Sequence, residues 1–242
     1  MRSAVVTLTL LAAASPGAGQ SMNDVVSRYL QARGGIERLH AVKTLRLTGR
    51  MSLPGAEAPF VLELKRPAKM RTEFTVNGRK GIQAFDGRAG WSVAPLPGEA
   101  ARAMGPDETR EARSQADVDL SPLVDAAAKG FSIEMQGREA LGGGDAVKLL
   151  VRGGGGPDRV LFIDSRTHLV VRTEETRDLD GELVEFVTEI GDYRTVDGLT
   201  YPYRIDVAPK AQPDLRQRMD IQGVEVNPPI DDARFAKPGP SS

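Results

Sequence analysis

Cysteine is absent from the 242 residues. That one absence excludes disulfides, thiolate metal sites, a cysteine nucleophile and a lipidated N-terminal cysteine. Histidine is scarce, with only His40 and His168 present. Neither stands at a metal-ligand spacing such as HExxH, so each reads as a solvent-facing or half-buried structural residue. No GxSxG nucleophile elbow and no GxxxxGK[ST] phosphate loop occurs. Carboxylates are plentiful, yet no spacing selects an acid/base pair, and the expectation is a protein that is not an enzyme. An excess of either charge is also missing: 32 Lys and Arg against 33 Asp and Glu give a formal net charge of -1. The broad basic field with which a nucleic-acid binder engages phosphates is therefore lacking.

Long apolar runs are missing except at the N-terminus, where Arg2 precedes a run from Ala4 to Ala14 and then Pro16 and small residues. The run is shorter than the roughly 20 residues that span a bilayer, and it reads as a secretory signal cleaved near residues 18–20. Export without disulfides fits a bacterial periplasm. The expected organisation is a signal peptide at 1–20, one domain at 21–238 and a flexible tail at 239–242.

What is plentiful is alternation. Asn23 can cap a first helix with Val25, Val26, Tyr29 and Leu30 on one face, ended by Gly34 and Gly35, and a short helical turn at 36–41 follows. From Leu45 onward, apolar residues recur at every second position in segments of seven to ten residues closed by turn signals. Asn77-Gly78 and Asp86-Gly87 are hairpin signals, because a two-residue turn needs positive φ angles that these residues tolerate. The glycines at 142–144 and 153–156 read as turns of the same kind. Between residues 97 and 129 the period changes, and two short helices are expected, one after Pro106 and one carrying Leu120, Leu123, Val124 and Ala127. The total is about ten or eleven antiparallel strands with helices, an α+β domain whose sheet must curl or split.

Three of the four tyrosines fall within DYRTVDGLTYPYRI, residues 192–205. Val196-Asp197-Gly198 reads as a turn, so Tyr193 belongs to the preceding strand, while Tyr201 and Tyr203 share one face of the next. Their hydroxyls need partners or water, which suits the rim of a cavity. Pro202, lacking a donor, points to an edge or bulge. The only tryptophan, Trp91, reads as core or as the lining of an apolar cleft. The basic cluster Lys65, Arg66, Lys69 and Arg71 reads as a solvated turn, partly neutralised by Glu63 and Glu73, or as a docking patch for a partner or anionic head groups.

Seven strings spread over most of the chain resemble the outer-membrane lipoprotein-sorting proteins of the LolA/LolB type: ARGGIERL (32–39), RPAKMR (66–71), FDGRAGW (85–91), ADVDL (116–120), FIDSRTHLVVR (162–172), DYRTVDGLTYPYRI (192–205) and VNPPIDDARFAKP (226–238). The resemblance implies an incomplete, strongly curved antiparallel half-barrel with helices over its concave side. It implies an apolar cavity for acyl chains of lipoproteins or lipids, no cofactor, and inner- or outer-membrane transport proteins as partners. Leu62, Met70, Phe74, Trp91, Phe162, Phe186, Tyr201 and Tyr203 are the expected lining residues. A sensor or scaffold with a self-filled interior is the alternative, and a hydrolase with a carboxylate cluster in the cavity is a third reading.

Overall fold

The computed structural model describes residues 21–53, 56–179 and 181–239, so the expected signal peptide and nearly all of the expected tail lie outside it. Two helices, α1 (Met22–Ala32) and α2 (Ile36–Ala41), precede a first run of strands: β1 (Thr44–Leu53), β2 (Ala56–Lys65), β3 (Lys69–Val76), β4 (Arg79–Phe85), β5 (Gly90–Val93) and β6 (Arg102–Ala103). Helix α3 (Pro106–Gln115) and a run of turns lead to β7 (Phe131–Leu141), β8 (Gly144–Gly153), β9 (Arg159–Asp164), β10 (Val170–Leu179), β11 (Glu182–Val196), β12 (Leu199–Pro209) and β13 (Gln217–Val226). All 13 strands form one antiparallel sheet in the order β6-β5-β4-β3-β2-β1-β13-β12-β11-β10-β9-β8-β7. Every neighbour is a sequence neighbour except β1 and β13, whose pairing joins two meanders into one curved, unclosed sheet. This is the expected incomplete barrel with helices, with β5 and β6 added to the anticipated count. Both are short, and a strand of four or two residues shows too little alternation to be read.

Local chemistry explains where the elements stop. Helix α1 is capped by Ser21 rather than Asn23: the Ser21 hydroxyl accepts from the Asp24 N–H at 3.2 Å, and Asp24 reaches back to the Ser21 N–H. Gly34 follows at φ 117°, and a Cβ there would lie 2.3 Å from the Gly198 carbonyl oxygen, so only glycine lets the α1–α2 corner rest on the β11–β12 turn. Asn77-Gly78 and Asp197-Gly198 form the expected two-residue turns with both residues at positive φ. Asp86-Gly87 does not: Asp86 accepts from the N–H groups of Arg88 and Ala89, making a four-residue loop. The second helix expected at 120–127 is a series of turns, because Leu120 and Asp125 both take φ 52°. The two helices expected between residues 97 and 129 are thus one helix and one loop.

Each strand alternates between an inner face, on which the helices pack, and an outer face. Leu45, Leu47, Phe60, Leu64, Met70, Phe85, Tyr201, Tyr203 and Ile221 form one inner cluster with Leu39, Val118 and Val124. Val147, Leu149, Leu161 and Ile163 form a second with Val25, Tyr29 and Leu123. Helix α1 and the loop at 117–130 contribute to both and bridge them.

Candidate functional site

The covered end of the inner face is held by a polar network. Arg33, only 3% exposed, donates from Nε to the Thr200 carbonyl at 2.8 Å, from Nη1 to the Tyr29 hydroxyl at 2.8 Å and from Nη2 to the Asp119 carbonyl at 3.1 Å. Its guanidinium also lies 5.7 Å from the centre of the Tyr201 ring. The Asp119 carboxylate is fully buried and accepts from Arg66 at 2.6 Å and from Lys129 at 2.8 Å. Lys129 also holds Asp117. Arg66 meets the Val42 and Leu39 carbonyls at the end of α2, where a cation offsets the helix dipole. Four segments distant in sequence are therefore fastened over Met70 and Tyr201.

Burial, ahead of the attraction of Lys129, pushes the Asp117 carboxyl above its ordinary value, and the neighbouring Asp119 charge adds to that. Burial likewise raises the Tyr201 hydroxyl to about 12.

Beyond this cover the same face is less protected. Ile190, Ile205, Met219 and Met51 stand opposite one another across β11, β12, β13 and β1, and all four are half-buried. Two residues along the strands lie Leu161, Thr173, Thr188 and Val207, and two further lie Arg159, Glu175, Phe186 and Pro209, again in register. The inner face thus grades from an apolar row through a mixed row to a charged one.

Six of the eight expected lining residues share this face, in two different situations. Met70 and Tyr201 are 1% exposed and Tyr203 is 7% exposed, packed among the protein's own side chains. Tyr201 accordingly sits inside the cover rather than at its rim, because Arg33 lies against its ring, whereas Tyr203 is covered by the exposed Arg194, whose guanidinium lies 4.3 Å from its ring centre. Leu62, Phe74 and Phe186 are half-buried. The other two correct the expectation. Trp91 pairs with Ala84 in the row that continues through Arg71 and Glu63, on the outer face. It is covered there by the C-terminal segment, with its Nε1 donating to the Phe235 carbonyl at 2.8 Å. Phe162 also faces outward, opposite Lys148 and Arg172, whose cationic groups lie over its ring. Alternation reveals which residues share a face but not which face is inside, so an outer face with its own cover looks like core in sequence.

The basic cluster is engaged by the chain itself. Lys65 and Lys69 both pair with Asp232, and Lys65 also donates to the Ile230 carbonyl. Arg71 donates to Glu73 and to the Arg234 carbonyl, while Arg66 joins the inner network. The segment after Asn227 is therefore strapped on the outer face, with Phe235 fully buried. Asn227 anchors its start, accepting from the Lys43 N–H at 2.7 Å and donating to the Ala41 carbonyl. A docking patch read from four cations meets four cations already in use: Lys65, Lys69 and Arg71 find acceptors about 160 residues downstream in sequence, and Arg66 finds Leu39, Val42 and Asp119. Pro202 falls beyond the end of the β12–β13 ladder, which stops at Arg204, so β12 is locally an edge there.

His40 bonds Asp125 at 2.8 Å, and His168 occupies the β9–β10 turn at φ 59°. Among the described residues no group of three or more His, Asp or Glu side chains is arranged to hold a metal ion. Two hollows open on the surface. One of about 230 Å³ is lined by residues including Leu150, Val160, Glu174 and Lys210, and the other, of about 360 Å³, lies against residues 34–38. Neither is lined by Met70 or Tyr201.

No family model matches the chain, and no curated protein matches it. Solved structures do. A DUF1329 family protein from Desulfovibrio piger superposes with a TM-score of 0.59 at 14% identity, over 88% of this chain and 96% of that one. A domain named for outer membrane lipoprotein sorting, from Vibrio parahaemolyticus, gives 0.57 at 11% identity over 88% and 95%. A LolA superfamily protein from Nitrosomonas europaea gives 0.57 at 14% identity over 89% and 97%. The chain has a LolA-like fold. No described helix is long and apolar enough to cross a membrane.

Proposed function

We propose that the protein is a periplasmic carrier of acyl chains, of lipoproteins or lipids, which holds the chain along the half-buried inner row rather than between Met70 and Tyr201. The observation that carries this reading is the register of Ile190, Ile205, Met219 and Met51, four partly uncovered apolar side chains in line across four adjacent strands beside the closed core. Three spacings of about 4.8 Å make that row roughly 14 Å long, a strip suited to a chain and too narrow for a globular partner. The leader read in the sequence and the likeness to a domain named for lipoprotein sorting support the same reading, in which membrane transport proteins would load and unload the carrier. The close packing of Met70, Phe85 and Tyr201 favours the second reading, a scaffold or sensor, for the covered end alone.

Trp91 cannot report on this site, since it lies on the outer face. A tryptophan introduced as Met219→Trp can. In the delipidated protein its fluorescence should be quenched by brominated fatty acids, with affinity rising roughly fourfold per added methylene, as about 0.8 kcal/mol per buried group requires. Ile205→Asp should abolish binding. Affinity independent of chain length, or unaffected by Ile205→Asp, would overturn the proposal.

A further inference from the structure

Resting on the carrier reading, we propose that the preferred cargo is a single-chain amphiphile with an anionic head group, and that Arg159 and Arg177 receive that head group at the far end of the inner face. Arg159, Glu175 and Phe186 stand opposite one another on β9, β10 and β11, four residues along the strands from the level of Ile190 and Ile205. Four residues of strand span roughly 13 Å, so the cations and the apolar row are separated by a distance that one amphiphile bridges.

The local charge balance points to an anion. Glu175, with its side chain 6% exposed, accepts from Arg159 Nε and from Arg177 Nε, each at 2.7 Å. Two guanidinium groups facing one carboxylate leave a net charge of +1. Glu182, the next carboxylate along β11 on that face, stands four residues away toward the hairpin tip. Arg159 and Arg177 retain 34% and 36% side-chain exposure, and among the described residues no other acceptor engages the terminal nitrogens of Arg159. The Arg177 guanidinium lies 4.6 Å from the centre of the Phe186 ring, which fixes its plane on this face. A planar donor pair held in place beside an apolar strip recognises a carboxylate or phosphate rather than an ammonium or a neutral polyol.

The cargo is taken from solution as a monomer, not read on a membrane surface. The arginines sit on the concave side of a sheet, and a flat bilayer approaches a convex surface more readily.

Palmitate, hexadecyl phosphate and monopalmitoylglycerol share a chain and differ in head group, so their affinities isolate the head-group term. Both anions should bind about tenfold more tightly than the neutral probe at low salt, with the gap narrowing as salt is added. Arg159→Gln should remove most of that preference while leaving the affinity for monopalmitoylglycerol unchanged. Glu175→Gln should enlarge it, because both guanidinium groups are then released. Opposite signs for these two variants are not produced by a purely structural triad. Equal affinity for all three probes, or loss with both variants, would overturn the head-group assignment while leaving the carrier reading intact. Failure of every probe to bind would defeat the carrier reading itself. Co-sedimentation with anionic phosphatidylglycerol vesicles that depends on Arg159, without binding of monomeric palmitate, would replace the soluble cargo with a membrane surface.

Discussion

The inner face contains the same device twice, a buried carboxylate between two cations. At the covered end Asp119 lies between Arg66 and Lys129, and at the open end Glu175 lies between Arg159 and Arg177. They differ in what else the cations do. Arg66 also donates to carbonyls at the end of α2, and Lys129 also holds Asp117, so the first triad ties separate segments together. The second joins neighbouring strands that already pair, and its guanidinium groups keep free donors and a third of their surface. A charge cluster fastens a structure when its partners come from distant parts of the chain. When the partners are local, donors are left over for a ligand.

The comparison breaks if the two triads contribute equally to stability. Asp119→Ala should lower the free energy of unfolding by about 3 to 5 kcal/mol, the usual cost of removing one member of a buried charge network. Urea denaturation measures this. Glu175→Gln, which keeps the shape and one of the two acceptor oxygens while cations that are a third exposed turn to water, should cost less than about 1 kcal/mol. The outer face gives an intermediate case: Trp91→Phe removes the bond to the Phe235 carbonyl and should cost about 1 to 2 kcal/mol. It should also raise the protease sensitivity of the segment after Asn227 while leaving acyl-chain binding unchanged. Reduced binding in that variant would show that the outer strap and the inner row are coupled.

Most of the sheet could be read from alternation because antiparallel strands with one wet face carry a period of two, and the Asn-Gly and Asp-Gly turns mark where they reverse. The loop at 117–130 could not, since Leu123, Val124 and Ala127 keep a helical spacing while positive φ at Leu120 and Asp125 breaks the helix. The site was legible only in part. Residue type suggested that Trp91 and Phe162 were inner, but a covered outer face holds aromatics equally well. The row of Ile190, Ile205, Met219 and Met51 arises from the register of four strands, including the β1–β13 pair that closes the two meanders, and no local pattern encodes that pairing. The strings that carried the family resemblance meet in space. Arg33, Arg66, Asp119 and Tyr201 come from four of them and form the inner latch. Trp91, Arg71 and Phe235 come from three and form the outer strap. Such strings mark the fastening of the fold, which explains why they identified its architecture and left the cargo-facing row unmarked.

The smallest effect separates the two ends by the sign of their response to pH. Burial raises the Asp117 carboxyl beside the covered triad, so the folded state binds its proton more tightly than the unfolded state does. Stability from that group is present below its unfolded value near 3.8 and is lost as pH rises through the higher folded value. At Glu175 burial also favours the proton, but Arg159 and Arg177 outweigh it and hold the folded value below 4.5. Stability from Glu175 is therefore present above about pH 4.5 and lost as pH falls through the folded value. Unfolding free energies measured between pH 3 and pH 6 should rise less steeply with pH in Glu175→Gln than in the parent protein, and more steeply in Asp117→Asn. If both variants flatten the profile, the covered end is not the more strongly desolvated of the two, and the contrast between fastening and receiving triads loses its electrostatic basis.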